Sequence, residues 1–323
     1  MNIGLRHIFP IPAFLKSIAV LIMLFLIGSF TFSKQDGFQS TKKDDKQKTT
    51  IITEEIVVVG EAPRDIPISS ITTLDFTWME KTKPVDLAEA VSRAPGVFVT
   101  FGNKSEYTLK LRGMDSRRIA LLLDGIPIYE PYFSSFDLKT VAAAGVDTIQ
   151  VTKGPSSVLY GSNTLGGIVN VITRRPQGEP AVTFQMSYGE RNTLGLGADA
   201  AWQSGPFALT GNFTYQNSDG FFHAEKTGGR KARENSDYRR TNLNLKGYYN
   251  PSNRTEILVN VGVYQSSYGM PYEIGAFRPR YWRFKNWDRY SLNAGGFTAV
   301  GEDSFLRFRA YMVQYDNTLD AYN

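Results

Sequence analysis

From residue 181 onward the chain alternates between apolar and polar positions. Val182, Phe184, Met186 and Tyr188 are separated by Thr183, Gln185 and Ser187, and Leu194, Leu196, Ala198, Ala200 and Trp202 by smaller or polar residues. A period of two gives a strand one apolar and one polar face. The same pattern predicts strands near residues 207–217, 238–249, 255–264, 289–298 and 304–315, seven in all. Their connections alternate in length: residues 203–206, 250–254 and 300–303 are short, while residues 218–237 and 265–288 are long. Short turns at one end, long loops at the other and aromatic residues near strand ends (Tyr188, Trp202, Tyr248, Tyr249, Tyr264, Tyr315) fit a transmembrane barrel. A soluble β-sandwich shows the same alternation, so the strand pattern alone leaves both open.

The pattern before residue 176 is different. Leu87, Ala90, Val91 and Ala94 share one face of a short amphipathic helix stopped by Pro95-Gly96. Short β-type runs follow at residues 97–99, 107–112, 119–123 and 148–151, separated by Arg112-Gly113, Asp124-Gly125, Lys153-Gly154-Pro155 and Tyr160-Gly161-Ser162. These signals predict a small mixed α/β domain of about 110 residues. Its glycines read as tight turns. Lys153-Gly154-Pro155-Ser156-Ser157 lacks the residue order of a phosphate-binding loop, and Gly161 to Gly167 does not match the dinucleotide fingerprint.

The amino-terminal stretch is organised differently again. Arg6 and Lys16 precede an apolar run over residues 18–27 and then small residues, the layout of a secretory signal peptide over residues 1–33. The uncharged run is shorter than the roughly 20 residues that span a bilayer as a helix. Residues 34–53 are too charged to pack and read as a linker. An island follows at Glu55-Ile56-Val57-Val58-Val59, closed by Pro63. Its β-branched run reads either as the first strand of the next domain or as a donor for strand addition to another protein's sheet.

Composition narrows the chemistry. The 323 residues carry 36 Lys and Arg against 31 Asp and Glu, a net +5 that is no argument for nucleic acid. Cysteine is absent, which removes disulfides, thiolate metal sites, cysteine nucleophiles and a lipid anchor on cysteine. His7 and His223 are the two histidines, so a multi-histidine zinc site is excluded. A serine triad would need His223, which has no nucleophile motif near it. No catalytic residue, metal site or cofactor is assigned. Aromatic residues number 16 in the first 176 positions and 26 in the last 147, which sharpens the boundary near residue 176. Mean hydropathy of −0.25 argues against a helical membrane bundle but admits strands that are apolar on alternate residues.

Four ordered motifs then carry a resemblance. Leu111-Arg112-Gly113-Met114-Asp115, Leu122-Leu123-Asp124-Gly125-Ile126-Pro127, Ile149 through Gly161 with Lys153-Gly154-Pro155-Ser156, and Gly166-Gly167 through Arg174-Arg175-Pro176 together resemble the plug of TonB-dependent outer-membrane receptors. The resemblance implies a small mixed α/β plug domain followed by an incomplete antiparallel transmembrane β-barrel. The implied boundaries are a signal peptide at 1–33, a periplasmic linker with a TonB box at 34–62, the plug at 63–176 and the first barrel strands at 177–323. Glu55, Ile56, Val57, Val58 and Val59 resemble the TonB box, which pairs with TonB of the inner-membrane energy-transducing complex. Arg112 and Lys153 resemble the two plug cations that face glutamates on the barrel wall. The family commonly has arginine where this chain has Lys153, and lysine offers a point charge where arginine offers a planar fork.

The implied function is uptake of an external metal chelate, with a ferric siderophore first and cobalamin or haem behind it. A passive plugged porin or an adhesin is the rival class. Met114, Asp115, Arg117, Tyr129, Tyr132 and Phe133 are candidate ligand contacts on the plug apices, and Tyr281, Trp282 and Arg283 in a long loop whose basic and aromatic residues suit an anionic, partly aromatic ligand. The other expected partners are outer-membrane lipid and lipopolysaccharide, and no nucleic acid. Seven strands are too few to enclose such a plug, since a plugged lumen goes with about 22. The chain is therefore expected to be the amino-terminal part of a longer barrel, ending in a loop.

Overall fold

The computed structural model describes residues 70–102, 104–130, 134–154, 164–176, 179–225, 228–275, 277–300 and 304–322. The segments expected to be a signal peptide and a linker, and Glu55 to Val59, lie outside the described residues, as do Tyr132, Phe133 and residues 155–163.

The chain begins with β1 (Ser70–Leu74), α1 (Phe76–Thr82) and α2 (Leu87–Ser92). Both helices are short and depend on their caps. Asp75 accepts from the Trp78 amide at 2.8 Å and Asp86 from the Glu89 amide at 2.9 Å, while Glu89 reaches back to the Val85 amide at 3.0 Å. Each cap gives a first-turn N–H the acceptor that the helix itself lacks. The strands β2 (Val97–Phe101) and β3 (Tyr107–Leu111) form a separate antiparallel hairpin. Then come β4 (Ile119–Leu123), β5 (Ile126–Pro127), β6 (Val146–Lys153) and β7 (Gly167–Thr173).

These strands make a five-stranded sheet in the order β1-β6-β7-β4-β5. The β4–β7 pair is parallel, and the other pairs are antiparallel. Leu87 and Val91 of α2 join Leu109, Leu111, Ile119, Leu121, Ile149, Val151, Val169 and Val171 in one core. Ala120, Leu122 and Ile168 form a second, smaller cluster at the alternate positions of β4 and β7. Period two thus gives these central strands two apolar faces, as expected of strands covered on both sides.

The second sheet has seven strands in the order β16-β15-β14-β13-β10-β9-β8, every pair antiparallel. They are β8 (Ala181–Gly189), β9 (Thr193–Ser204), β10 (Phe207–Ser218), β13 (Tyr238–Ser252), β14 (Thr255–Met270), β15 (Tyr281–Ala299) and β16 (Phe305–Tyr322). A small hairpin, β11 (Phe222–Ala224) with β12 (Arg230–Ala232), sits in the connection between β10 and β13. The sheet is not closed: β8 and β16 are its edges. One face carries exposed Val182, Phe184, Met186, Trp202, Leu209, Phe213, Ile257, Val259, Phe308 and Met312. The other carries buried Ala208, Lys246, Tyr248, Glu256, Leu258, Asn260, Arg289 and Asn293. Its outer face is the apolar one and its inner face is polar, the arrangement of a membrane barrel and the reverse of a soluble sandwich.

Two loop expectations are corrected. Residues 265–270 and 281–288 are strand, so the long connection after β14 shrinks to residues 271–280. Tyr264, Tyr268, Met270, Phe284 and Trp287 bury one inward cluster there, and register shifts after Tyr264 and Phe284 keep the aromatics facing in. The polar run Gln265-Ser266-Ser267 hides that continuation from a period-two reading. The chain end also departs from the expected loop, because β16 runs on through Asp320 to Tyr322.

Candidate functional site

The site is the plug sheet against the inner face of the wall. Its first part is the end of the plug nearest the long loops. Residues 112–118 turn tightly: the Leu111 and Met114 backbones exchange hydrogen bonds of 3.1 and 2.9 Å, with Arg112 and Gly113 both at positive φ. Ser116 Oγ lies 3.0 Å from Ser135 Oγ, and Glu130 bridges to Ser135. The two predicted apices, around Met114 to Arg117 and around Tyr129, therefore form one surface. On it Asp115 and Arg117 are 3.6 Å apart, and Tyr129 is 47% exposed. Met114 is half-buried.

The three loop candidates are differently placed. The Arg283 guanidinium donates both ways to Asp237, at 2.6 and 2.9 Å, and also to Asn235 Oδ1 at 3.1 Å. Trp282 packs on the buried aromatic cluster, and its carbonyl accepts from Asn235 Nδ2 at 2.7 Å. The Tyr281 ring lies 5.2 Å from that of Tyr272. Arg283 and the Trp282 carbonyl thus tie the start of β15 to the connection between β10 and β13.

Beside this apex the plug meets the wall through a charged cluster that the sequence reading did not find. Asp137 accepts from the backbone amides of Tyr107 and Lys139, each at 3.0 Å, and the Lys139 ammonium stands 3.5 Å above the Tyr107 ring. Burial, aided by the charge of Arg240 on β13, pulls Lys139 down to about 7 against the attraction of Asp137 and Asp86. Burial also raises the Asp137 carboxyl, which Lys139 opposes. Further along, Thr140 is held by the wall: Arg289 donates to its hydroxyl at 3.3 Å and to its carbonyl at 3.2 Å, and Asn242 donates to the same carbonyl at 3.2 Å. Asn212 of β10 donates to the Ala144 carbonyl.

Toward the short-turn end two ion pairs join plug and wall. Lys246 Nζ of β13 lies 2.6 Å from Asp124 Oδ2, with side-chain exposures of 0% and 1%. Arg175 makes a bidentate contact with Glu256 of β14 at 2.8 and 3.1 Å. On another flank a cavity of about 480 Å³, lined by Glu80, Lys83, Arg174, Asp199 and Gln216 among others, separates α1 from the wall strands β8 to β10. Arg112 and Lys153, predicted as the plug cations that meet the wall, lie against β1: Arg112 donates to Ser70 Oγ at 3.3 Å, and Lys153 to Thr72 Oγ1 at 2.8 Å. The sequence held a signal for the wall partners, because Arg240, Asn242, Asn244 and Lys246 occupy alternate positions of one strand. A polar inner face on a strand with an apolar outer face marks a lumen lining.

Residues 63–168 match the family described as TonB-dependent Receptor Plug Domain. Over 140 residues the chain is 29% identical to a vitamin B12 transporter, BtuB, of Photobacterium profundum, covering 43% of this chain and 21% of that protein. It is 28% identical over 142 residues to the BtuB of Vibrio vulnificus, covering 43% and 22%. Among solved structures, the copper transporter OprC superposes with a TM-score of 0.64 at 19% identity, over 79% of this chain and 38% of that one. The FrpB iron transporter from Neisseria meningitidis (F3-3 variant) gives 0.64 at 16% identity, over 76% and 41%. The alcaligin outer-membrane receptor FauA from Bordetella pertussis gives 0.60 at 18% identity, over 80% and 41%. At these identities the structural likeness is one of fold. The chain spans about a fifth of the length of the curated relatives it matches.

Proposed function

We propose that this chain, a TonB-dependent receptor by its plug and its barrel strands, forms the plug and first wall strands of a Gram-negative outer-membrane transporter. In this reading it captures an external metal chelate, with a ferric siderophore as the first choice, and passes it to the periplasm on energy supplied through TonB. The observation that carries the reading is a mixed α/β sheet seated on the polar inner face of a wall whose outer face is apolar. A passive porin has no use for a folded sheet fastened across its lumen by buried ion pairs. The short turns then lie in the periplasm and the long loops outside, which puts the joined apex of Met114, Asp115, Arg117 and Tyr129 toward the external ligand. Relatives in fold named for iron and for alcaligin support the siderophore choice, and the two named for vitamin B12 keep a corrinoid as the second reading.

Coupling to TonB is assigned to Glu55, Ile56, Val57, Val58 and Val59, a segment whose β-branched residues favour an added strand. Strand addition uses backbone donors and acceptors, so Val58→Pro removes one N–H and fixes φ, whereas Val58→Ala keeps both. The receptor is expressed from its complete gene in a host lacking its own siderophore receptors. Binding and uptake of a panel of iron-55 siderophores and of cobalt-57 cobalamin are then measured. One ligand is expected to bind to both variants and the parent, with uptake lost in Val58→Pro alone. Uptake that survives Val58→Pro in full would remove the TonB assignment. Binding of cobalamin with no siderophore would move the ligand to the second reading.

A further inference from the structure

We propose that Asp124 and Arg175 of the plug, with Lys246 and Glu256 of the wall, form a charge-alternating key that sets where the plug sits in the barrel, with Lys246 and Glu256 as its positioning residues. The inference rests on the reading of the two sheets as plug and wall. Lys246 and Glu256 share the inner face: Lys246 pairs across the sheet with Asn260, four residues, about 13 Å of strand, along β14 from Glu256. Their charges are opposite. The plug presents the complement, because Asp124 accepts from the amide of Thr173 at 2.9 Å and from its hydroxyl at 3.1 and 3.2 Å, two residues before Arg175. The plug therefore offers minus then plus where the wall offers plus then minus. A plug displaced one way along β13 and β14 would bring Asp124 toward Glu256, and one displaced the other way would bring Arg175 toward Lys246, so either slip sets like charge against like.

Burial makes this arrangement selective. A paired charge deep in protein is tolerated, but one left without its counter-ion is strongly disfavoured, so a mis-seated plug loses far more than two contacts. Lys246 and Asp124 are 0% and 1% exposed, and Arg175 and Glu256 are 21% and 9% exposed. Asp124 is prepared for its role by the turn after β4. It sits at φ +53°, a conformation that aspartate tolerates well, and Gly125 follows at φ +75°. The turn aims the carboxylate out of the plug sheet while Thr173 holds it. Such a key supplies specificity that the apolar patch of Ala120, Leu122 and Ile168 does not, since apolar contact is non-directional.

The test uses the receptor expressed from its complete gene and purified in detergent. Trypsin digestion is followed by mass spectrometry of plug peptides, and a heat-modifiable band reports the barrel. Asp124→Asn leaves Lys246 buried beside a neutral amide, and Arg175→Glu sets a carboxylate against Glu256. Each is expected to speed plug digestion at least about tenfold while the barrel band persists. The doubles Asp124→Asn with Lys246→Met, and Arg175→Glu with Glu256→Arg, are expected to return to within about threefold of the parent. Singles that digest like the parent, or doubles no slower than their singles, would overturn the key. If Arg175→Glu blocks barrel formation, Arg175→Met and Glu256→Met against their double make the same comparison, and a double no better than its singles is again the overturning result.

Discussion

Arg283 at the start of β15 and Asp237 at the end of the β10–β13 connection meet as fork on fork, at 2.6 and 2.9 Å. The bidentate geometry is the favourable one for a guanidinium and a carboxylate. Both side chains keep a third or more of their surface in water, so solvent screening limits the pair to about 1 kcal/mol. Arg283→Ala should therefore loosen residues 234–240 without unfolding the sheet. Hydrogen exchange at those amides should rise several-fold while exchange along the rest of β13, from Thr241 to Ser252, stays unchanged. The hydrogen bond from Arg283 holds the Asp237 carboxyl below its ordinary value. A depressed carboxylate contributes stability above its unfolded pKa of 3.8 and loses it as pH falls below that. Exchange relative to the intrinsic rate at each pH should be flat at 234–240 from pH 7 to about 5 and rise only in stronger acid, a rise that Arg283→Ala should lack.

Lys139 gives the plug a pH dependence of the opposite kind. In the unfolded chain it holds its proton up to 10.5, and in the folded plug only up to about 7. Between those values the unfolded state binds more protons, so plug stability rises with pH across that window. Below about 7 the lysine is charged in both states and its burial penalty is fully present. Lys139→Met should flatten the rise and leave the acid side more stable than the parent. Exchange protection of residues 104–111 in parent and variant, measured between pH 6 and about 9.5, tests the sign. A parent plug that becomes less protected as pH rises would contradict it.

The sequence made the seven wall strands visible because each alternates an apolar outer face with a polar inner one, a clear two-residue pattern. It lost their outer ends where the apolar positions turned inward as Tyr264, Tyr268, Phe284 and Trp287 and the register slipped. The capped helix at Leu87–Ser92 was legible, but α1 at Phe76–Thr82 was not, because a seven-residue helix has too few turns to show a period. In the site, the Leu122 to Pro127 motif was noticed as a turn, yet its partner Lys246 sits in another sheet. No local pattern pairs residues so far apart in the chain. The hint that was available, amide and charged residues at alternating positions of β13, says which face they occupy and leaves open what they touch.

Gly167 supplies a backbone prediction. It sits at the start of β7 with φ +141°, and a Cβ there would collide with the Thr152 carbonyl oxygen of β6 and crowd Leu111. Glycine alone adopts this conformation readily, and the oxygen belongs to a backbone that the sheet holds in place. Gly167→Ala should cost the plug about 3 kcal/mol or more and open the β6–β7 pairing. Faster trypsin cleavage after Lys153, with an intact heat-modifiable barrel, is the expected result. Gly113→Ala, where no atom lies within 4 Å of the added carbon, should be the milder of the two.

The joined apex can be separated from the loop candidates by asking which residues already have a structural task. Arg283 is engaged by Asp237 and Asn235, so its loss changes loop order and ligand capture together. Arg117 leaves 71% of its side chain in water and touches Asp115 at only 3.6 Å, and Tyr129 is 47% exposed. Truncating either should change plug stability by no more than about 0.5 kcal/mol. If the apex receives an anionic, partly aromatic chelate, losing a guanidinium or a phenol ring should still weaken capture about tenfold each. Equilibrium binding of whichever labelled chelate the binding panel identifies, with trypsin half-times measured alongside, distinguishes the cases. Arg117→Ala and Tyr129→Ala should lower affinity at unchanged half-time. Parental affinity in both would move the ligand away from the apex and toward the loops.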